Sequence, residues 1–242
     1  MKSMILAAGL ALVATGVVAQ DREEFIRDNI LAIFYNEFGH ALIDVRDLPI
    51  FGQKEDAADV ASVMLMHSLY EEETAIQMVM SAAKAFYADA VQEAKSDDAP
   101  YWDSHGASEQ RYFNTICVFY GGNPDERSDM IDLMGLPEER AEGCEEEFMQ
   151  ADFSWGNALA DIASEEGAVS FDLDVRDESA PITKLTITEE LEAMNRTFAL
   201  ENPLPVRIES CGEANAYYDP NDQSITMCTE FEESLGLVFD NM

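Results

Sequence analysis

Positive charge is what this 242-residue sequence has least of: 14 Lys and Arg stand against 49 Asp and Glu, a formal net charge of -35 at pH 7. A phosphate backbone would be repelled, which excludes DNA and RNA as partners. Anionic membrane surfaces are disfavoured for the same reason. Histidine is scarce too, and any imidazole chemistry must come from three residues, His40, His67 and His105. No C-x-x-C pair exists, which argues against a four-thiolate zinc site. Past the N-terminal stretch no segment approaches ~18 uncharged apolar residues, so no membrane insertion is expected of the mature chain. Internal repeats and low-complexity segments are absent as well.

What is present is enough for a core. Hydrophobic residues make up 47% of the chain and aromatics 10%, which excludes a disordered acidic tail. The length allows one large domain or two small ones. Acid is spread along both halves, as a solvated acidic surface requires. Met1-Lys2 forms a short basic stretch, residues 4–14 are apolar, and Val17-Val18-Ala19 offers small residues before Gln20. Residues 1–19 therefore read as a secretory signal peptide, and the expected location is secreted or periplasmic.

Export gives the cysteines meaning. Cys117, Cys144, Cys211 and Cys228 are an even count in an oxidising compartment, which suggests two disulfides. Of the three pairings open to four cysteines, the local one, Cys117–Cys144 with Cys211–Cys228, suits the chain best. Each pair then lies within one supersecondary unit.

Apolar residues recur at helical spacing over residues 22–45, and Asp47-Leu48-Pro49 ends that helix. Helices are predicted over 54–69 and 71–95, as a hairpin, then over 108–120, 125–134 and 137–149. The period then changes. Val169, Phe171, Leu173 and Val175 alternate with polar residues, which predicts a strand. A second strand is predicted over 184–188, running into a helix over 189–198. Residues 205–211 and 224–228 read as strands on either side of Asn215-Ala216-Tyr217-Tyr218, with a last helix over 229–239.

The chemistry is carried by Tyr35-Asn36-Glu37-Phe38-Gly39-His40-Ala41-Leu42-Ile43. It has the frame of the zinc-peptidase motif H-E-x-x-H, with Asn36 in place of the first His. In the intact motif two His on one helical face bind zinc, and the adjacent Glu takes a proton from the zinc-bound water. Glu37 and His40 remain here. Downstream, Glu55-Asp56-Ala57-Ala58-Asp59 puts Glu55 and Asp59 on one face of the next helix. In that arrangement the Glu is a third zinc ligand and the Asp orients a ligand His.

Residues 25–66 resemble the bacterial secreted "putative metallopeptidase" family, a domain of otherwise unknown function. Its hallmark reads H-E-L-G-H-A-L-I-D, then L-P-V-x-G-x-E-E-D-A-A-D; this chain matches it from Asn36 to Asp44 and from Leu48 to Asp59. Tyr101-Trp102-Asp103-Ser104-His105, Gln110-Arg111-Tyr112-Phe113-Asn114 and Cys117 are similar to the family's middle section. Cys211-Gly212-Glu213-Ala214-Asn215-Ala216-Tyr217-Tyr218-Asp219 and Ile225-Thr226-Met227-Cys228 are similar to its β-hairpin.

The resemblance implies an α+β, zincin-like fold, mainly helical with a small C-terminal β-hairpin or sheet unit. Residues 20–165 would form the helical region with both motifs, and 166–242 an α+β region with a disulfide-linked hairpin, packed on the first as one unit. It implies zinc as cofactor, Glu37 as general base, His40 and Glu55 as metal ligands, and Asp59 behind His40. Asn36 occupies the degenerate ligand position. An amide oxygen is a weak donor to zinc, so a replacement imidazole matters. His67 lies roughly 18 Å from Glu55 along a continuous helix; His105, in a loop-like stretch, is the candidate. In many neutral zinc peptidases an N-A-x-Y strand precedes the zinc helix. Here Asn215 and Tyr217 follow it, which implies a permuted order with that strand as the edge for an extended peptide. The expected function is a zinc metallopeptidase acting on a peptide or protein substrate. The alternative is an inactive relative that binds a peptide or protein without cutting it.

Overall fold

The computed structural model describes residues 21–95 and 103–242. The expected signal peptide lies outside the described residues, as do Tyr101 and Trp102. Four helices come first, α1 (Arg22–Val45), α2 (Lys54–Leu69), α3 (Glu72–Glu93) and α4 (Ser108–Gly121). Shorter helices α5 (Asp129–Met134), α6 (Glu138–Ala141) and α7 (Cys144–Ala151) follow. A π-helical turn (Asp152–Gly156) joins α7 to α8 (Asn157–Ala160). Then come β1 (Phe171–Val175), α9 (Pro181–Thr197), β2 (Leu204–Glu209), β3 (Ala216–Asp219), β4 (Ser224–Cys228) and α10 (Glu230–Asp240). The architecture is α+β and mainly helical, with one small mixed sheet.

Helix α1 is the axis of the molecule. Asp21 caps it by accepting the Glu24 N–H at 2.8 Å, satisfying one of the donors that a helix start leaves open. Its apolar residues point in nearly every direction, so the helix is stable only when surrounded. α2, α3, α9 and α10 pack on it, and β3 and β4 cover its remaining side. Phe25, Phe34, Tyr35 and Phe38 are fully buried there. The consequence for chemistry is that Asn36, Glu37 and His40 are carried into the interior, each less than a tenth exposed.

Gly39 sets how closely α2 approaches. A methyl group at this position would sit 2.8 Å from the Ala61 Cβ and 3.3 Å from the Ala58 Cα, so only a bare backbone fits. This close crossing brings Glu55 and Asp59 on α2 against the motif on α1.

The sheet runs β1-β2-β4-β3, with β1, β2 and β4 parallel and β3 antiparallel to β4. Residues 216–219 are thus themselves an edge strand, and β2 lies on the far side of β4. The strand expected over 184–188 is instead the first half of α9. Pro181 starts that helix at a position where its missing N–H costs nothing. Ile187, Leu191 and Met194 then line its buried face against α1. The β-branched run from Thr186 to Thr188 has strand propensity, and packing overrides it. α3 leans chiefly on α4 and α1 and only lightly on α2, so the expected hairpin of the second and third helices is an open corner.

Both expected disulfides form, Cys117–Cys144 between α4 and α7, and Cys211–Cys228 between the loop after β2 and the end of β4. Each adds roughly 3 kcal/mol by restricting the unfolded chain. Among the described residues no helix is long and apolar enough to cross a membrane.

Candidate metal centre and its cleft

Asn36 and His40 lie one turn apart on α1, and Glu55 and Asp59 one turn apart on α2. The His40 Nε2–H donates to Glu55 Oε2 at 2.9 Å. Asn36 Nδ2 donates to Asp59 Oδ1 at 2.7 Å. Asp59, expected behind His40, here accepts from Asn36. The two helices cross so that the pairs run in opposite directions, 36 with 59 and 40 with 55.

Because a carboxylate only accepts, the Asn36 amide is oriented, with Nδ2 toward Asp59 and Oδ1 left as its acceptor. Asp59 is held in turn by Arg111, whose Nε and Nη2 donate to it at 2.7 and 2.8 Å. This forked pairing is geometrically demanding and fixes the carboxylate in place. The guanidinium also lies over the Phe86 ring, 4.2 Å from its centroid. Arg111 was quoted in the family's middle section without a role. Nothing in its local sequence says that it turns inward.

His105 reaches the same place from the loop before α4. Its Nε2 lies 3.1 Å from Glu55 Oε2, the atom that His40 already contacts, and its Nδ1 lies 3.2 Å from Asp103 Oδ1. Pinned between two carboxylates, first Glu55 and then Asp103, its imidazole is more basic than usual. Glu55 shows the reciprocal effect: hydrogen bonds from His105 and His40 hold its carboxyl far below the usual range. His67 is placed elsewhere, against Arg127.

Glu37 faces the same cavity. Burial pushes its carboxyl up to about 8, against a backbone hydrogen bond from Tyr218 that favours the charged form. A carboxyl held near neutrality can both take and return a proton. The Tyr218 contact also places β3 beside the motif helix. The Tyr218 hydroxyl donates to Asp44 Oδ2 at 2.7 Å, a second tie between strand and helix. Asn215 and Tyr217 line the cavity together with His40. The cavity measures about 540 Å³, within the usual size of a ligand site.

The donor set of His40, His105 and Glu55, two imidazoles and one carboxylate, is what zinc takes at a catalytic site. Glu55 Oε2 now serves both imidazoles as a hydrogen-bond acceptor. Among the described residues no three His, Cys, Asp or Glu side chains stand ready-arranged around an ion. The donors fit the metal in kind, and in the placement described they do not surround a common point.

No curated protein and no solved structure matches the chain. A family model described as "Putative metallopeptidase" matches residues 10–159 and 176–241, and the chain belongs to that family.

Proposed function

We propose that this is an exported zinc-dependent peptidase whose centre is rebuilt around Asn36, with His105 supplying the second imidazole. The observation that carries this reading is the meeting of two Nε2 atoms, from His40 and His105, on one oxygen of Glu55. His40, His105 and Glu55 would hold the ion, which when bound supplies Lewis acidity toward a carbonyl oxygen. Asn36, oriented by Asp59, presents an amide oxygen beside them. Glu37 would take a proton from the attacking water at its carboxylate and return it to the departing amine. β3 offers a strand edge along which an extended peptide can lie.

The second reading, an inactive peptide-binding relative, is favoured by the Asn36–Asp59 bond, which ties down the residue at the missing ligand's position. The purified mature protein decides between them. About one zinc per chain is expected in the wild type, lost in His105→Ala and kept in Glu37→Gln. Peptide hydrolysis is expected in the wild type and absent from both variants. A wild type that takes up no zinc and cuts no peptide sinks the first reading. A His105→Ala variant with unchanged zinc content sinks the rebuilt centre.

A further inference from the structure

Three acids lie close together on α9, Glu189, Glu190 and Glu192, and their surroundings differ. Glu189 and Glu192 face solvent, and Glu189 pairs with Arg27 on α1. Glu190 lies on the buried stripe with Thr183, Ile187, Leu191 and Met194 and is 8% exposed. Among the described residues no Lys, Arg or His pairs with it. Its partners are two phenols. The Tyr35 hydroxyl, from α1, lies 2.7 Å from Glu190 Oε1, and that of Tyr70, the residue that ends α2, lies 2.8 Å from Oε2. The two phenol oxygens are 3.0 Å apart. Three groups thus close a ring of three O···O contacts, each within hydrogen-bond distance.

Such a ring needs three protons. Each phenol has one to give, and an ionised carboxylate has none. With Glu190 ionised, both phenols donate to it and the contact between them holds no proton. With Glu190 neutral the ring fills: Glu190 donates to Tyr70, Tyr70 to Tyr35, and Tyr35 back to Glu190. A buried carboxyl without a cation sheds its charge rather than bear the desolvation. Burial accordingly raises the Glu190 carboxyl above its ordinary range, against the two phenol hydrogen bonds. Burial, and then Glu190, push both phenols up as well, so these keep their protons.

We infer that Glu190 is a neutral carboxylic acid in the folded protein and acts as a pH-sensitive latch, its proton closing the ring that fastens α9 to α1 and to the end of α2. Loss of that proton leaves a buried negative charge and an empty contact, and α9 loosens from α1. The neighbouring elements offer no cation in exchange. On α1, Asp28 acts on Tyr70 with a charge of the same sign. β1, also packed on α9, turns Asp172 and Asp174 to solvent. None of the proposed metal ligands belongs to the ring, so the latch stands whether or not the protein binds zinc. The unfolded chain releases this proton in the ordinary carboxylate range, and the folded chain holds it to higher pH. Stability from the latch is therefore fully present below about pH 4 and is lost as pH rises through the raised folded value.

The proton can be followed directly by NMR of the full-length mature protein labelled with carbon-13 at its glutamate carboxyls, the Glu190 signal being assigned by its loss in Glu190→Gln. That signal is expected to keep its neutral-acid position at a pH where the exposed glutamates have ionised. Gln imitates the neutral acid, because its amide donates to Tyr70 and accepts from Tyr35. Urea unfolding of Asp28→Asn is then compared with that of Asp28→Asn/Glu190→Gln, which removes the contribution of Asp28. Relative to the double variant, the folding constant of the single variant is expected to fall about tenfold per pH unit from the ordinary carboxylate range up to the Glu190 midpoint, and then to level. Over the same range amide hydrogen exchange in α9 is expected to become faster in the single variant than in the double variant at equal pH. A Glu190 signal that titrates with the exposed glutamates overturns the neutral acid. Parallel stability curves, or α9 exchange that Glu190→Gln does not change, overturn the latch.

Discussion

His67 and His105 are both approached by charged side chains, and His105 lines the cavity beside the motif helix while His67 packs against Arg127. Around His67 the charges close on themselves. Arg127, fully buried, donates from Nη2 to His67 Nδ1 at 2.9 Å and from Nε and Nη2 to the two oxygens of Glu72 at 2.6 and 2.8 Å. Its Nη1 donates to the Phe119 carbonyl, and its guanidinium lies 3.5 Å from the Phe119 ring centroid. Burial, and then the neighbouring Arg127, push the His67 imidazole down toward its neutral form. One cation, one anion and one neutral ring leave nothing to bind. Around His105 the balance is acidic: Glu37, Glu55, Asp59 and Asp89 line a cavity with Lys54 and one guanidinium, Arg111, which is already committed to Asp59. The same residue types therefore make a structural clasp in one place and line an open cavity in the other. What separates them is unspent negative charge and room.

Breaking the clasp should have the largest effect on stability. Arg127→Met leaves Glu72, His67 and the Phe119 carbonyl without their donor, and about 3 kcal/mol of stability should be lost in urea unfolding. Glu72 is itself partly solvated, which keeps the figure at the low end. Zinc uptake by the folded variant should be unchanged. A loss below about 1 kcal/mol would mean that the clasp is not closed as described.

Next in size is an acidic group on α1 that faces neither place. Burial pushes the Asp28 carboxyl up to about 6 from 3.8, against a hydrogen bond from Ser81 at 2.6 Å. The folded state thus holds this proton more tightly than the unfolded chain does. Stability from this group is present below about pH 4 and is lost as pH rises through 6, by about 3 kcal/mol. Asp28→Asn should flatten that part of the stability–pH curve. An unchanged curve would place Asp28 outside the buried core.

The smallest effects compare the two histidines directly. His67→Ala removes the acceptor from a buried Arg127 donor and should cost about 1–2 kcal/mol. His105, nearly half exposed, should cost less than about 0.5 kcal/mol on replacement by Ala, while removing zinc uptake. Equal costs at the two positions would erase the distinction between clasp and site.

Much of the fold was legible where local signals and burial agree. α1 and α2 have their expected limits because helical periodicity and the break at Asp47-Leu48-Pro49 point the same way. β1 follows from the alternation of Phe171, Leu173 and Val175. The start of α9 was misread because Thr186, Ile187 and Thr188 favour strands locally, and only contact with α1 decides otherwise. In the site, the spacing of Asn36 with His40 and of Glu55 with Asp59 gave the membership, since i and i+4 share a face. It did not give the partners, because the direction in which two helices cross is a tertiary fact. Arg111 was missed for the same reason, and the Tyr218 contacts depend on where an edge strand lands.

The central claim is that His105 replaces the imidazole missing at position 36. X-ray absorption fine structure at the zinc edge of the loaded protein counts imidazole ligands directly. Two imidazoles and a carboxylate are predicted in the wild type, one imidazole in His105→Ala wherever zinc is retained, and the two-imidazole signature again in Asn36→His/His105→Ala. A single imidazole in the wild type, or a spectrum unchanged by His105→Ala, would contradict it.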